Sequence, residues 1–80
     1  MIRFTKHAPE AIEKRRIAVD WIEAALNAPA STAADPRHPE RTRSYKVIAE
    51  RGGRVLRVVH RPAGNDIVVI MVHFDRGARR

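Results

Sequence analysis

The chain has 80 residues, with 16 Lys and Arg against nine Asp and Glu, which gives a formal net charge of +7 at pH 7. This length allows a single domain, residues 1–80, and leaves no room for a deep enclosed cavity, so we expect any site on an open face or groove. No cysteine is present, which excludes disulfides and zinc–thiolate sites. The longest apolar run, Ile67–Val72, is too short to span a membrane, and the N-terminus has no secretory hydrophobic segment. We therefore expect a cytoplasmic protein with no membrane partner.

The first half of the chain predicts a short strand, two helices and a loop. Ile2–Thr5 alternates as an edge strand does, and Pro9 marks the first turn of a short helix. Apolar residues at helical spacing predict a second helix over Val19–Asn27. Its predicted buried stripe comprises Val19, Ile22 and Leu26, with Ala25 beside Leu26. Ala30–Glu40 is rich in proline and small polar residues, which predicts an extended loop.

The second half predicts an antiparallel meander. Ser44–Arg51, Val55–Arg61 and Asp66–Phe74 are rich in β-branched residues, and the turns between them are Gly52–Gly53 and Pro62–Asn65. The last strand is apolar on both faces, so we place it inside the sheet with the N-terminal strand on its far side. The predicted fold class is α+β, in the order β-α-α-β-β-β, with two helices packed on one face of a small antiparallel sheet.

The basic surplus belongs to the second half. Residues 1–34 carry a net charge of +1, whereas residues 35–80 carry +6. Arginine supplies 13 of the 16 cations, and its planar fork donates two parallel hydrogen bonds to a phosphate. This composition predicts a polyanionic partner such as a nucleic acid, an acidic protein or an anionic surface. A GC-rich genome, which favours arginine codons, explains the arginine excess equally well.

Several short motifs carry a resemblance to a known family. His7-Ala8, Arg15–Ile17, Leu56–Val59 and Val72–Arg76 together resemble a family of small bacterial domains of unknown function. That family is similar to the BrnT and RelE/ParE toxins of toxin–antitoxin systems, and Asp35–His38 matches the Asp-Pro-x-His segment of BrnT-like chains. The resemblance implies a RelE-like fold, metal-independent RNA cleavage or a ribosome-linked role, and an acidic antitoxin as partner.

Candidate catalytic residues follow from what RNA cleavage without a metal requires: a base for the 2′-hydroxyl, a cation for the phosphate and an acid for the leaving oxygen. Arg57 or Arg43 is the candidate cation. His60 and His73 are the candidate acid and base because imidazole titrates near neutral pH. Both histidines have a plain alternative as structural or solvent-facing residues. Arg57 either pairs with an acid such as Asp66 or Glu50 or lines a phosphate-binding face, and we favour the second.

A basic surface on the sheet is the candidate nucleic-acid interface. The residues assigned to it are Arg43, Tyr45, Lys46, Arg61 and Arg76. Tyr45 is suited to stack on a base. The histidines are scattered without ligand spacing, so neither a metal site nor a cofactor is expected.

Two functions are therefore predicted. The first is a type II toxin, a metal-independent endoribonuclease or translation inhibitor that acts on RNA or the ribosome and is held by an acidic antitoxin. The alternative is a non-catalytic module of the same fold that binds nucleic acid or protein. Trp21 or the Ala30–Glu40 loop is also available for a homodimer. A third hypothesis is that the net charge of +7 serves only to keep the domain soluble.

Overall fold

Five strands form one sheet in the order β1-β5-β4-β3-β2 in the computed structural model, which describes residues 1–76. The strands are β1 (Ile2–Phe4), β2 (Ser31–Ala34), β3 (Thr42–Ile48), β4 (Arg54–Ala63) and β5 (Asp66–Asp75). The predicted meander is confirmed, since β3, β4 and β5 pair antiparallel in succession. β1 lies beside β5 as predicted but runs parallel to it, so the sheet is mixed rather than antiparallel. β1 leaves the sheet through helices instead of a hairpin, and no tight turn forces it antiparallel.

Two helices connect β1 to β2. The first, α1 (Ala8–Lys14), begins with Pro9 in its first turn, and Arg16 just beyond it adopts a left-handed conformation with φ of 53° that reverses the chain. The second, α2, spans Val19–Asn27, the bounds that the sequence predicts. Its predicted stripe is wrong at Val19, which is 48% exposed because it is the first residue of the helix. Ile22 and Ala25 of the predicted stripe are fully buried.

The core lies between the helices and one face of the sheet. α1 contacts β5, and α2 contacts β3 and β4. The buried residues that pack together there are Ala8, Ile17, Ile22, Ala25, Ile48, Leu56, Val58, Val69 and Val72. Burial of one such aliphatic side chain contributes about 1.5–3 kcal/mol. The predicted α+β fold with two helices on one face of the sheet is therefore confirmed.

Both hairpin turns of the meander differ in length from the turns that the sequence predicts. A 3₁₀ turn, Ala49–Arg51, precedes Gly52 and Gly53, whose φ angles of 66° and 79° require glycine. β4 continues through Pro62, and its turn to β5 is formed by Gly64 and Asn65. Pro62 is tolerated because β4 there extends beyond the end of β3, so no strand on that side needs its missing N–H.

The predicted loop is partly a strand. Ser31–Ala34 forms β2, which pairs antiparallel with β3 at the edge of the sheet. The four residues have no strong strand preference, and the backbone groups of β3 supply the order instead. The shorter loop that follows is held by the Asp35 carboxylate, which accepts hydrogen bonds from the backbone N–H groups of Arg37 at 2.9 Å and His38 at 3.1 Å.

A β-bulge changes which residues of β5 share a face. Val58 pairs with Val72, but His60, two residues later on β4, pairs with Val69, three residues earlier on β5. The extra residue shifts the alternation. Val69 consequently packs in the core, whereas His73 lies opposite Arg57 on the face away from the helices. Strict alternation along the last strand predicts that Val69 and His73 share a face, and the bulge shows this prediction to be wrong.

Candidate anion-binding groove

An open groove of about 420 Å³ lies at the end of the sheet where β4 begins and β5 ends. We call it the arginine groove. Its lining residues are Arg15, Arg51, Arg54, His73, Phe74 and Arg76. Arg15 follows α1, Arg51 ends the 3₁₀ turn, Arg54 opens β4 and Arg76 follows β5. These elements meet because Val55 pairs with Asp75 at the start of β4.

Arg51 is held in place by the backbone and by two aromatic rings. Its Nη2 donates to the carbonyl oxygens of Arg15 and Arg16, each at 2.9 Å. Its guanidinium carbon lies 5.7 Å from the ring centroid of Trp21 and 5.4 Å from that of Phe74. Such cation–π contacts limit the positions that the guanidinium can adopt. Trp21 itself is half-buried and packs against the core.

One ring of this aromatic pair, Phe74, also contacts a second arginine. Trp21 and Phe74 meet edge to face, with centroids 6.4 Å apart. The guanidinium carbon of Arg54 lies 4.8 Å from the Phe74 centroid. Phe74 therefore helps to position both Arg51 and Arg54, and its ring is packed in turn against Trp21.

The arginines of the groove differ from Arg3 and Arg43 of the sheet in forming no ion pair with a carboxylate of residues 1–76. Arg3 pairs with Asp66 at 2.9 Å, and Arg43 with Asp35 at 3.4 Å. By contrast, the four arginines of the groove form no ion pair with a carboxylate within residues 1–76. Their positive charge is available to an anion.

Arg57, His73 and Asp75 form a cluster beside the groove. Arg57 Nε donates to His73 Nε2 at 2.9 Å, and a second guanidinium nitrogen also contacts Nε2. Arg57 Nη1 lies 3.6 Å from Asp75 Oδ2. The two acids considered as partners from the sequence, Asp66 and Glu50, do not fill this role. The register of β4 on β5 selects Asp75, while Asp66 pairs with Arg3 and the N-terminal amino group.

His73 is favoured in its neutral form. Burial is the main cause that lowers its pKa, and the positive charges of Arg57, Arg15 and Arg43 lower it further, partly offset by Asp75. Because Arg57 donates to Nε2, a neutral His73 carries its proton on Nδ1. His73 is thus a neutral imidazole at a cationic groove.

His60 is separated from this cluster by the sheet. It pairs with Thr42 on the helix-facing side, and its Nε2 lies 2.7 Å from the hydroxyl oxygen of buried Ser44. Burial lowers the pKa of His60. The structure therefore does not bring His60 and His73 to one phosphate.

The predicted nucleic-acid residues lie at several places. Tyr45 is paired with Arg57 and shares its face, and Arg43 lies two residues earlier on the same strand. The pKa of Arg43 is raised, first by its hydrogen bond with Tyr45 and also by Asp35. Lys46 instead donates from Nζ to the carbonyl oxygen of Ala28 at 2.9 Å, after the end of α2.

Arg61 is exposed on β4 beyond the end of β3, away from the groove. Only Arg76 of the predicted nucleic-acid set lines the groove. Sequence reasoning missed Arg15, Arg51 and Arg54 because Arg15 is distant along the chain from the other two, and the three lie in or beside three different elements. Two arginines that flank the Gly52–Gly53 turn were the available signal, since a turn places its neighbours at one end of a sheet.

The part of the chain that the structure describes has neither a cluster of metal-ligating side chains nor a membrane-spanning helix. Residues 1–76 contain no group of three or more His, Cys, Asp or Glu placed to hold a metal ion. Neither of the helices in that part of the chain is long and apolar enough to cross a membrane.

The fold and the groove define a small α+β domain with an arginine-lined cleft at one end of its sheet. The chain belongs to the family described as a domain of unknown function, DUF4258, whose family model matches residues 4–73. The resemblance to a small domain family of unknown function is thereby confirmed. No curated protein and no solved structure matches the chain.

Proposed function

We propose that this protein binds RNA and holds its phosphates in the arginine groove. One observation carries the proposal: four guanidinium groups without an acid partner in residues 1–76 line a single open groove of about 420 Å³. Arginine donates bidentate hydrogen bonds to phosphate oxygens, and these bonds are stronger than those between neutral groups.

The groove suits a single strand. Single-stranded nucleic acids bind through a positively charged groove together with aromatic side chains. Phe74 supplies an aromatic ring in the wall of this groove. RNA, rather than DNA, is favoured by the resemblance to toxins that act on RNA or the ribosome.

The salt dependence of binding tests this proposal. The logarithm of the affinity for a single-stranded RNA should fall linearly with the logarithm of the salt concentration. Arg54→Gln should weaken binding and reduce the slope by about 0.7 for one lost phosphate contact. Arg37→Gln is the matched control, because it removes the same charge from an exposed arginine in the Asp35 loop.

Two results would contradict RNA binding at the groove. A salt-independent affinity would point to a protein partner instead. An equal loss in Arg54→Gln and Arg37→Gln would show that the net charge of the protein, not the groove, attracts the RNA.

A second candidate function, RNA cleavage in the manner of a RelE- or BrnT-like toxin, is favoured by the neutral His73 beside Arg57. When the Arg57 guanidinium moves from His73 Nε2 to the phosphate, Nε2 is free to take the proton of the 2′-hydroxyl. The 2′-oxygen then bonds to phosphorus, and the bond to the 5′-oxygen breaks. That oxygen takes a proton from water, and the hydroxide so formed takes the proton held by His73 Nε2, which restores the water and the neutral imidazole. The products are a 2′,3′-cyclic phosphate and a 5′-hydroxyl. An acidic antitoxin segment would compete for the same arginines.

Cleavage of RNA by the purified protein, free and on ribosomes, tests the toxin function. His73→Gln and Arg57→Ala should each abolish cleavage and relieve the slow growth expected on expression, because one removes the base and the other the cation. His60→Gln is the control, since His60 lies on the opposite face of the sheet. If the unmodified protein neither cleaves RNA nor slows growth, the toxin function is wrong, and a module that binds RNA without cleaving it remains.

A further inference from the structure

The positive charge of the groove exceeds what one internal phosphodiester neutralises. Among residues 1–76, the six that line the groove include four guanidinium groups and no carboxylate, around a volume of about 420 Å³. A phosphodiester within an RNA strand carries a single negative charge, and consecutive phosphates are spread along the strand. A diphosphate or triphosphate places several negative charges on adjacent phosphorus atoms and matches such a cluster better.

The guanidinium groups cannot all move apart to relieve their repulsion. Arg51 is held by two carbonyl oxygens at 2.9 Å and by contacts with Trp21 and Phe74. Arg54 is held 4.8 Å from the same Phe74 ring. Like charges fixed near one another raise the free energy of the unliganded site, and a ligand of high negative charge density removes that cost.

The excess of cations does not continue from the groove across the adjoining sheet. Arg57 is within 3.6 Å of Asp75, and Arg43 is within 3.4 Å of Asp35. An extended RNA backbone that followed the sheet would meet neutralised arginines there. Arg61, on the same strand as Arg57, forms no ion pair within residues 1–76, but it lies beyond the end of β3, away from the groove. The unpaired charge around the groove itself is thus compact, which is the shape of a terminal or free polyphosphate.

We infer that the arginine groove binds linked phosphates, a diphosphate or triphosphate, carried by the 5′ end of an RNA or by a free nucleotide. The RNA form of this inference rests on the proposed RNA binding, whereas the nucleotide form does not. Arg15, Arg51, Arg54 and Arg76 contact the phosphates, and the remainder of the ligand extends into solvent because the groove is open.

The fluorescence of Trp21 provides a direct assay, because it is the single tryptophan and lies beside Arg51. Titrations without added metal compare orthophosphate, tripolyphosphate, a nucleoside triphosphate and one RNA sequence with a 5′-hydroxyl or a 5′-triphosphate. Calorimetry on the same samples confirms the affinities. Tripolyphosphate should bind at least about tenfold more tightly than orthophosphate, since each charged hydrogen bond adds roughly a factor of ten or more.

Variants locate the binding. Arg54→Gln and Arg76→Gln should each weaken tripolyphosphate binding about tenfold, the effect of one lost charge-assisted contact. Arg37→Gln should leave it unchanged. Equal losses in all three variants, or equal affinities for orthophosphate and tripolyphosphate, overturn the inference.

The two RNAs and the nucleotide separate the sources. Tighter binding of the 5′-triphosphate RNA than of the 5′-hydroxyl RNA and the nucleotide identifies an RNA end. Equal binding of the nucleotide and the triphosphate RNA identifies a polyphosphate site that ignores the RNA body. Equal binding of both RNAs without competition from tripolyphosphate overturns this inference and leaves the RNA proposal standing. Binding of tripolyphosphate without either RNA overturns the RNA proposal alone.

Discussion

Arg57 shows how a strand register determines the state of individual side chains. A guanidinium among valines of a central strand is costly unless it is paired. Asp75 and His73 both lie across the β4–β5 pair from this strand, and each contacts Arg57. Burial is the main cause that lowers the pKa of His73 and keeps it neutral, and the adjacent positive charge of Arg57 lowers the pKa further. The charge at this site is therefore set by residues distant along the chain.

The partly buried His60 and His73 lead us to expect that the protein loses stability in mild acid. Burial lowers the pKa of both His60 and His73 below the ordinary value of 6.5, so the unfolded chain binds more protons than the folded chain as the pH falls through that value. The free energy of unfolding should consequently decrease as the pH falls below the ordinary histidine value, and level off below the two folded-state pKa values. Urea denaturation between about pH 5 and pH 8 measures this dependence.

His60→Gln provides the matching test, since glutamine cannot titrate and keeps a polar atom near Ser44. This variant should lose part of the decrease. Asp35, whose pKa is lowered mainly by the backbone hydrogen bond from Arg37, acts in a separate window below its ordinary value of 3.8. A free energy of unfolding that stays constant or rises on acidification towards pH 5 would falsify the lowered pKa values assigned to His60 and His73.

At the scale of elements, β2 and the loop after it depend on tertiary contacts. Ser31–Ala34 is an exposed edge strand, and its order comes from pairing with β3 on one side alone. The loop continues this order because Asp35 joins two backbone N–H groups to Arg43. Hydrogen bonds from one carboxylate thus connect a loop to the sheet.

Asp35→Asn should loosen the loop without unfolding the domain. The amide keeps the size of the side chain but removes the negative charge that favours the two backbone N–H donors and Arg43. Hydrogen exchange should accelerate at the amides of Arg37 and His38 and stay unchanged in the meander. Unaltered exchange at those two amides would show that Asp35 does not hold the loop.

The same scale shows what the sequence pattern predicts well. The bounds of α2 and the three strands of the meander follow from local periodicity, because an amphipathic helix and a β-branched strand each repeat within one segment. β2 has no such pattern, and its strand forms through partner backbone groups. The bulge of β5 also has no local signal, and it reverses the face assigned to Val69 relative to His73.

At the scale of the whole molecule, one small core supports the groove. The central strands contribute Leu56, Val58, Val69 and Val72 to this core, all fully buried. β4 and β5 then continue to the end of the sheet where the arginines lie. A loss of packing under these strands is expected to affect folding of the entire domain.

Leu56→Ala should therefore destabilise the protein by about 2–5 kcal/mol, the cost of a cavity in a packed core. Val47→Ala, on the opposite face and half-exposed, is the control and should cost clearly less. Chemical denaturation gives both values. Equal losses in the two variants would contradict the placement of the core between the helices and the sheet.

The sequence by itself determined the bounds of α2, the meander, the α+β fold class and the net charge of +7. These properties depend on composition or on patterns within a few residues. Tertiary structure alone decided which arginines are neutralised and which converge. Arg43 and Arg57, the predicted phosphate ligands, have acid partners, whereas Arg15, Arg51 and Arg54 meet at the groove. The reason is physical: pairing depends on distances set by strand register and by the approach of α1 to the end of the sheet, which no local pattern encodes.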